Sequence, residues 1–339
     1  LQAGLRQFVD QGLEACAIEA SSIGLREHRL DGTVLRLAVF TNFSQDHLDY
    51  HDSMDNYWQA KAALFDWPDF PAAVVNVDDA QGCRLAQTLL DRKRPAQVWT
   101  FSCQGPARLQ ARHIRWHASS QAGVGLAFEV CEGEQALPLQ TRMVGTFNVS
   151  NVLAVIAALR AMGHSLADAV QACAHLPSVP GRMNSLGGIN QPLVVVDYAH
   201  TPDALEKALQ ALHDVAQQRQ GKLWCVVGCG GERDVGKRPL MARAAEAQAQ
   251  CVVLTSDNPR SEDPARIVAA IEAGMVHAPR RKELDRARAI SDTLSLADPR
   301  DVVLIAGKGH ETSQEIHGQR LPFSDTLLAQ ACLDAGVWA

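Results

Sequence analysis

The stretch CVVLTSDNPR, residues 251–260, passes from an apolar segment straight into polar side chains and a proline. Its run of β-branched residues predicts a buried strand, and Asn258-Pro259 is a common opening of a turn. The strand therefore ends in a loop that carries an amide and a guanidinium at the edge of a pocket. The Arg260 guanidinium can hold a carboxylate there through two parallel hydrogen bonds, although a plain strand-to-helix turn explains the same four residues.

The second half of the chain repeats this pattern of an apolar run followed by a polar residue or a glycine. The predicted strands are Leu193 to Asp197, Leu223 to Gly228, Cys251 to Ser256 and Val302 to Ala306. Helices over 203–219 and 237–249 fill the gaps, so the segment is typical of a Rossmann-like α/β domain. Ligands of such domains gather beyond the carboxyl ends of the strands. The residues expected at those ends are Asp197, Gly228, Asp257 and Gly307.

The first half also alternates between helices and strands, which predicts a second, mostly parallel sheet. The predicted helices are an amphipathic one at the start of the chain, Met54 to Phe65, and Asn148 to Met162. The predicted strands are Ala15 to Glu19, Leu35 to Thr41, and Ala72 to Asn76, with an antiparallel patch over 97–140.

The segment LPSVPG, residues 176–181, is the candidate domain boundary, because proline and glycine interrupt regular structure. A chain of 339 residues favours two domains. We therefore predict a central domain over 1–179 and a Rossmann-like domain over 180–339. The chain begins at Leu1, without Met, inside a helical pattern, so we expect the true N-terminus to lie elsewhere.

The composition is that of an ordinary soluble globular protein, with 47% apolar and 21% charged residues. A formal net charge of -6 gives no support to a nucleic-acid partner. The nine cysteines are scattered without a C-x-x-C pair, which predicts reduced thiols in a cytoplasmic protein. No apolar run approaches the roughly 20 residues that span a bilayer, and no signal peptide is visible.

Glu19, His47 and Lys61 form a candidate metal-binding set. His47 lies in TNFSQDHLDYH, residues 41–51, a string rich in Asp and His just after a predicted strand. Carboxylate and imidazole groups are suitable ligands of a divalent ion. The alternatives are a solvated loop for this string and a solvated helix lysine for Lys61.

The glycine-rich stretch after the strand at 223–228 imitates two nucleotide-binding motifs without satisfying either. GERDVGKR, residues 231–238, fits G-x-x-x-x-G-K, but Arg238 stands where magnesium binding needs a hydroxyl. GCGG, residues 228–231, lacks the spacing of a dinucleotide fingerprint, which disfavours a dehydrogenase. We interpret the stretch as the start of a helix that faces a cleft, with Arg233 directed at substrate.

Nine motifs of the chain occur in the order used by one family. They are EASSIGLREHR at 19–29, TNFSQDHLDYH at 41–51, YWQAKAALF at 57–65, GTFNVSN at 145–151, GRM at 181–183, VVVDYAHTPDALEKAL at 194–209, GCGGERDVGKRPLMA at 228–242, SDNPR at 256–260 and AGKGHE at 306–311. Together they resemble the central and C-terminal domains of the Mur ligases of peptidoglycan synthesis. The resemblance is to the members that add meso-diaminopimelate, for which the string DNPR is the amino-acid selector.

The resemblance implies a central ATPase-type domain, partial in this chain, followed by a Rossmann-like domain that binds the amino acid. It implies an ATP-dependent, amide-forming ligase that uses Mg²⁺ and a carbamylated lysine. The implied substrates are UDP-N-acetylmuramoyl-L-alanyl-D-glutamate and meso-diaminopimelate, joined through an acyl phosphate. We further expect a monomer without nucleic-acid partners.

The resemblance also assigns roles to residues, position by position. Lys61 would be the carbamylated lysine, with Glu19 and His47 on the metal side, and His200 would lie near the phosphates. The positions implied for ATP are Asn148, Asn151, Arg182 and Asp197. The positions implied for the UDP-sugar peptide are Ser21, Glu27 and Arg29. The positions implied for diaminopimelate are Arg233, Asp257, Asn258, Pro259, Arg260, Gly307 and Glu311.

The chain departs from the family in three respects. Ile23 replaces a usual His, and Glu27 replaces a usual Gln, which puts part of the UDP-sugar contact in doubt. The phosphate-binding loop that ends Gly-Lys-Thr or Gly-Lys-Ser is not in these 339 residues, so we expect them alone not to ligate. The alternatives are a lysine-adding Mur ligase, a folate polyglutamate ligase, and a nucleotide-binding fragment without catalysis.

Overall fold

The computed structural model describes residues 1–44, 48–67, 71–92, 97–119 and 123–336. Its α-helices in these ranges are α1 Gln2–Asp10, α2 Ser22–Arg26, α3 Leu48–His51, α4 Met54–Ala62, α5 Ala80–Leu90, α6 Thr146–Ala161, α7 Leu166–Ala174, α8 Pro202–Arg219, α9 Lys237–Gln248, α10 Pro264–Glu272, α11 Arg286–Leu296 and α12 Asp325–Asp334. Its strands are β1 Ala38–Phe40, β2 Ala72–Asn76, β3 Gln97–Ser102, β4 Leu109–Ser119, β5 Gly123–Glu132, β6 Gln135–Gln140, β7 Asn184–Gly187, β8 Leu193–Asp197, β9 Leu223–Val227, β10 Cys251–Leu254, β11 Arg281–Lys282, β12 Val302–Ala306, β13 Ser313–Ile316 and β14 Gln319–Pro322.

The first sheet has the order β1-β2-β3-β4-β5-β6. β1, β2 and β3 are parallel, and α5 connects β2 to β3 and packs Leu85 and Leu89 into the same apolar cluster as Phe40 and Val75. The prediction of an antiparallel patch that begins at residue 97 is therefore wrong for β3. The reason is the helical crossover, which returns the chain to the end of the sheet where β2 began. β5 and β6 are joined by two residues, the connection of an antiparallel hairpin.

Two of the strands predicted in the first half need correction. The segment Ala15 to Glu19 has no regular secondary structure and all of its residues are exposed. The strand predicted from Leu35 to Thr41 is restricted to Ala38–Phe40, where it pairs with Ala73, Val74 and Val75. An apolar run becomes a strand only where a neighbouring backbone accepts its hydrogen bonds, and propensity alone does not supply that neighbour.

The second sheet has the order β11-β10-β9-β12-β8-β7. The strands from β11 to β8 are parallel, and β7 is antiparallel to β8. β8, β9, β10 and β12 are fully buried because helices cover both faces, with α8, α9 and α10 on one side and α11 and α12 on the other. These four strands and the Rossmann-like class are as predicted. The edge strands β7 and β11 escaped prediction because they are short and polar.

The order of this sheet brings four loops to one edge. β12 comes last in sequence but lies between β9 and β8, so the carboxyl ends of β10, β9, β12 and β8 are consecutive. The loops that follow them are 255–260, 228–233, 307–311 and 198–200. In an open parallel sheet this edge is where ligands bind.

The contacts divide the chain into two compact units. The first contains 1–112, 129–137 and 150–171, and the second contains 113–128, 138–149 and 172–339. The domain division at 179/180 remains a prediction. No helix within the described ranges combines the length and the apolar character needed to cross a membrane.

Candidate functional site

The loops after β9 and β10 pack backbone against backbone. The Gly231 amide donates a hydrogen bond to the Asn258 carbonyl oxygen over 2.9 Å. A Cβ on Gly231 would stand 2.0 Å from the Pro259 carbonyl oxygen, and one on Gly228 would stand 2.5 Å from the Thr255 oxygen. Glycine at these two positions therefore allows the two loops to meet.

Asn258, Lys308 and Glu311 form a hydrogen-bonded cluster at this edge. The Lys308 ammonium donates to Asn258 Oδ1 over 2.9 Å and to Glu311 Oε2 over 2.8 Å. Asn258 Nδ2 donates to the same Glu311 oxygen over 2.8 Å. Burial raises the pKa of Glu311, but hydrogen bonds from Lys308 and Asn258 outweigh it and hold that pKa below its ordinary value. Glu311 is therefore ionised at neutral pH.

Asp257 supplies a second carboxylate next to this cluster. Its side chain is buried, and burial raises its pKa, while Arg286 and Lys308 act in the opposite direction. Its carboxylate makes no hydrogen bond within the described residues. Gly307 has a φ of +116°, and a Cβ at this glycine would collide with Asp257 Oδ2. The carboxylate thus lies directly against the backbone of the neighbouring loop.

A buried ion pair lies beneath the loops that follow β10 and β12. Arg286 donates to both carboxylate oxygens of Asp325, over 2.8 and 2.7 Å, and both side chains are fully buried. The same guanidinium donates to the Ser256 carbonyl oxygen over 3.1 Å and to the Ala306 oxygen over 3.0 Å. Arg286 therefore fixes the points at which β10 and β12 give way to their loops.

Arg260 is held by its surroundings in this structure. Its Nη1 donates to the Gly231 carbonyl oxygen over 2.6 Å, and its Nε lies 3.5 Å from Glu315 Oε2. The backbone has a φ of +53°, and its amide and carbonyl bond to Glu315 and His317. The side chain therefore braces the loop after β9 and the strand β13 through its partners Gly231 and Glu315.

The loop that carries Arg233 is tied at one side. Buried Arg238 donates to both carboxylate oxygens of Glu262 over 2.9 Å, and Glu262 accepts from the Glu232 amide over 2.5 Å. α9 begins at Lys237, so the predicted helix start lies at the end of this loop. Arg233 itself is exposed. Contacts with Glu262 therefore hold the loop on one side, and the Arg233 guanidinium is left exposed to solvent.

Two of the residues implied for the nucleotide flank β7 and β8: Arg182 precedes β7, and Asp197 ends β8. Asp197 is buried and accepts hydrogen bonds from the amides of Met183 and Ala199, over 2.7 and 2.8 Å. Burial raises its pKa, and those amides and Arg182 lower it by less. The Arg182 guanidinium lies 5.2 Å from the ring centroid of Tyr198. Asp197 thus holds together the segment before β7, which carries the exposed Arg182, and the loop after β8, which carries Tyr198.

Two histidines flank the same ring. The centroids of His200 and His310 lie 4.7 and 5.7 Å from that of Tyr198. His200 Nδ1 donates to the Tyr198 carbonyl oxygen over 2.9 Å, which leaves Nε2 as the acceptor nitrogen of the neutral ring. The Lys237 ammonium donates to the His200 carbonyl oxygen over 2.9 Å. The region therefore offers several cations and rings to an anionic, aromatic ligand.

Asn148 and Asn151, implied for adenine, lie three residues apart in the first turns of α6. Asn148 Nδ2 donates to the Val144 carbonyl oxygen over 2.7 Å, which closes the turn at Gly145. Asn151 is exposed. Residues three apart on a helix share a face, so both amides are directed to one side.

Two of the three residues predicted on the metal side, Glu19 and Lys61, lie within the described residues. Glu19 is exposed on an irregular segment, and Lys61 is half-buried on α4 with its ammonium 5.2 Å from the Tyr57 ring centroid. His47 lies outside the described residues. Within the part of the chain that is described, no three His, Cys, Asp or Glu side chains are clustered as a metal site would require. The metal set therefore remains a prediction.

The residues implied for the UDP-sugar peptide surround α2. The Ser21 hydroxyl accepts from the Gly24 amide over 3.0 Å as the N-cap of this helix. Glu27 pairs with Arg29, and the Tyr50 hydroxyl donates to Glu27 over 3.3 Å. Glu27, which departs from the family pattern, is thus engaged with Arg29 and Tyr50.

Sequence reasoning did not assign four residues that shape the site: Lys308, Arg286, Asp325 and Tyr198. Lys308 and Tyr198 stand inside motifs that carried the resemblance, between residues that were assigned, so their position was the available signal. Arg286 and Asp325 are 39 residues apart and belong to no motif. Only the packing of α11 and α12 shows that they meet.

Comparisons with known proteins agree with this architecture. A family profile described as Mur ligase middle domain matches residues 1–159, and one described as Mur ligase, glutamate ligase domain, matches residues 181–309. The chain therefore belongs to the Mur ligase family, as the motifs predicted.

Similar proteins narrow the comparison further. A protein of Acidovorax sp. (strain JS42) named UDP-N-acetylmuramoyl-L-alanyl-D-glutamate--2,6-diaminopimelate ligase is 58% identical over 98% of this chain and 65% of that protein. The protein of that name from Janthinobacterium sp. (strain Marseille) is 49% identical over 99% of this chain and 66% of that protein. A solved structure described by the same name is 37% identical, with a TM-score of 0.72, and covers 100% of this chain and 68% of that one. The chain thus spans about two thirds of the length of these relatives.

Proposed function

We propose that the protein is an ATP-dependent ligase that adds meso-diaminopimelate to UDP-N-acetylmuramoyl-L-alanyl-D-glutamate. The proposal is supported by relatives of that name, which match 98% and 99% of the chain. The observation that carries it is the placement of Asn258, Arg260 and Glu311 on the loops that follow β10 and β12, with Asn258 and Glu311 hydrogen-bonded to each other. These side chains offer an amide, a carboxylate and a guanidinium, the groups that bind the ammonium and carboxylate of an amino acid.

The reaction follows from the poor reactivity of a carboxylate towards an amine. The γ-phosphoryl group of ATP passes to an oxygen of the D-glutamate side-chain carboxylate, which forms an acyl phosphate and releases ADP. The amine of diaminopimelate then attacks the carbonyl carbon and loses a proton, and the phosphate departs with the bonding electron pair. The chain's contribution is to hold both partners in register, which accounts for much of the rate enhancement in such transfers.

The nucleotide is proposed to lie at the loop after β8. Arg182, Lys237 and the ring of Tyr198 supply the charge and the stacking surface that a nucleotide requires. His200 is proposed to face the phosphates through Nε2, because its Nδ1 bonds to the Tyr198 carbonyl oxygen. Asp197 positions the loop through its two amide partners.

The donor set suits Mg²⁺ only if Lys61 is carbamylated. A neutral Lys61 amine that captures carbon dioxide becomes an anion with two oxygen donors, and Glu19 supplies a further carboxylate, which is the chemistry this ion prefers. Glu19, His47 and carbamylated Lys61 would hold the ion. When bound, Mg²⁺ neutralises charge on the transferred phosphoryl group.

Lysine is the competing amino acid, and Arg260 distinguishes the two. Diaminopimelate differs from lysine by one carboxylate, which the guanidinium would bind. A site for lysine would leave Arg260 without that partner, at a cost in binding free energy. The side chain is 21% exposed, so it is within reach of a ligand at the strand ends.

The proposal extends to the working environment of the protein. All nine cysteines are free thiols in the structure. Free thiols suit the reducing cytoplasm, where the precursor nucleotide and ATP are available. We propose that the protein acts there, as a monomer, on small-molecule substrates.

The test is phosphate release by the complete gene product with ATP, Mg²⁺ and the UDP-dipeptide. Release that requires meso-diaminopimelate, with at most weak release on lysine, is the expected result. Release that is equal with lysine would reassign the substrate, and release on a folate glutamate acceptor alone would overturn the proposal. The same assay on residues 1–339 should show no ligation.

A further inference from the structure

Lys308 is a buried lysine to which the proposed function gives no role. Its side chain is 0% exposed, and it stands between Gly307 and Gly309, whose φ values are +116° and +53°. These two glycines, one on each side of Lys308, allow positive-φ turns that other residues adopt only with strain. A buried ammonium is retained only where its charge and its hydrogens have partners.

The ammonium fixes the orientation of the Asn258 amide. An ammonium only donates, so the oxygen of the amide must face Lys308 and the nitrogen must face Glu311. Asn258 Oδ1 also accepts from the Glu315 amide over 3.0 Å, which uses its second acceptor position. The second N–H of Asn258 Nδ2 then remains available to donate a hydrogen bond to a ligand.

The ammonium also divides the roles of the two Glu311 oxygens. Oε2 accepts from Lys308 and from Asn258, whereas Oε1 accepts no hydrogen bond within the described residues. Glu311 is one third exposed, so Oε1 is accessible. The cluster therefore offers one donor from Asn258 and one acceptor from Glu311, which match the carboxylate and the ammonium of one α-amino-acid centre.

We propose that Lys308 is the positioning residue of the amino-acid site, acting through Asn258 and Glu311 without touching the ligand. The inference rests on the proposed function in that the ligand is the amino acid to be added. Lys308 orients the side chains of Asn258 and Glu311 before any ligand binds, so this role does not depend on which amino acid the site accepts.

Charge supports the same role. Glu311 is faced by Lys308 and His310 from its own loop, by Asp257 from the loop after β10, and by Arg286 beneath both. Without the Lys308 charge, the Asp257 and Glu311 carboxylates would lose a cation that both of them face. Glu311 would then bind a proton more readily and lose the acceptor that the ligand ammonium requires. The prediction is an amino-acid affinity that becomes sensitive to acid.

The experiment compares Lys308→Met, which keeps the shape without the charge, with Lys308→Gln, which keeps an N–H donor. Lys282→Met, at an exposed lysine of β11, is the matched control. In the complete gene product we expect the KM for meso-diaminopimelate to rise about 10- to 100-fold in Lys308→Met, the loss typical of a hydrogen bond to a charged group. The KM for ATP and kcat should stay near the wild-type values. The KM of Lys308→Gln for meso-diaminopimelate should lie between those of the wild type and Lys308→Met.

The pH profile separates positioning from mere packing. The KM for diaminopimelate should rise towards acid at a higher pH in Lys308→Met than in the wild type. A wild-type KM with a wild-type profile would overturn the proposal. So would an equal loss for ATP and diaminopimelate with a lowered melting temperature, the result of a packing defect.

A readout without substrate distinguishes this proposal from the proposed function. Carbon-13 NMR of labelled glutamate side chains, with Glu311→Gln for assignment, should show a higher pKa of Glu311 in Lys308→Met. If the proposed substrate is wrong, no variant will use diaminopimelate, but the Glu311 titration will still move. If the titration stays fixed in both Lys308 variants, Lys308 does not act through Glu311. Should Lys308→Met fail to fold, Lys308→Gln answers both questions.

Discussion

The backbone of Gly307 approaches the Asp257 carboxylate so closely that a Cβ at position 307 would stand 2.3 Å from Oδ2. This contact joins the loops that follow β12 and β10, two strands that are not neighbours in the sheet. It places a carboxylate, a glycine backbone and the buried Lys308 in one corner. Arg260 ends the motif SDNPR and Ala306 begins the motif AGKGHE, 46 residues later in the sequence, so the two motifs meet in this corner only through the fold.

Gly307→Ala tests whether this contact needs glycine. The φ of +116° strains any other residue, and the new methyl group would collide with Asp257, so we expect destabilisation of about 1–3 kcal/mol in urea unfolding. Gly318→Ala, with a φ of +73° and no atom within 4 Å of the added Cβ, is the control for backbone strain alone. Equal losses in the two variants would show that the Asp257 contact adds nothing.

Asp257→Asn is expected to stabilise the fold at neutral pH. Burial raises the pKa of Asp257 above its unfolded value, so the stability falls as the pH rises from the unfolded pKa towards the raised pKa and stays low above it. The penalty disappears below the unfolded value of about 4. The melting temperature of Asp257→Asn should therefore exceed that of the wild type at pH 7, and the difference should shrink as the pH falls towards 4.

Asp298 provides the opposite case for the same measurement. Hydrogen bonds from Arg300 lower its pKa to about 2, so its stabilisation is present above the unfolded value and is lost as the pH falls through about 2. Asp298→Asn should thus lower the melting temperature slightly at pH 7. The same sign for both variants would contradict the role of burial at Asp257.

Arg260→Ala tests the selector. A bidentate pair between this guanidinium and the distal carboxylate of diaminopimelate is worth on the order of 2–4 kcal/mol, which is a preference of ~10² to 10³-fold over lysine. We expect kcat/KM for diaminopimelate to collapse and the ratio to lysine to approach one. Arg266→Ala, at an exposed position of α10, is the control. Equal loss of both substrates would mean that Arg260 only braces Gly231 and Glu315, and Arg233 would become the next candidate.

Lys61→Ala tests the carbamylated lysine. The variant should lose activity by about 100-fold or more, and short carboxylates such as formate should restore part of it, because they replace the missing anion. Labelled bicarbonate should give a carbamate signal in wild-type protein and none in the variant. Lys207→Ala, at an exposed ion pair of α8, is the matched control. Full activity of Lys61→Ala without added carboxylate would refute the modification.

The Arg286–Asp325 pair should be costly to break and tolerable to replace. Either Arg286→Met or Asp325→Leu leaves one charge uncompensated at a fully buried site, for which about 3–5 kcal/mol of destabilisation is typical. The double variant removes both charges and should recover most of that loss in denaturant unfolding. Additive losses would show that the two side chains do not act as a pair.

The central strands of the second sheet were predictable, because burial on both faces requires long apolar runs. β8, β9, β10 and β12 are buried on both faces, so each appears in the sequence as an uninterrupted apolar segment. The segment Ala15 to Glu19 has a similar local pattern and was predicted wrongly. The central strands have neighbouring strands to pair with, whereas residues 15–19 have none within the described part of the chain, and a local sequence pattern cannot show whether such a neighbour exists.

The sequence by itself determined the family, the Rossmann-like class and the motifs that lie at the strand ends, since these depend on residue identity and spacing. Only the tertiary structure decided which side chains act on one another. Arg260 bonds to Gly231, and Lys308 bridges Asn258 and Glu311, through contacts between loops that are distant in sequence. The strand order of the sheet sets those contacts. β12 follows β8 to β11 in the sequence but lies between β9 and β8 in the sheet, which brings its loop next to theirs.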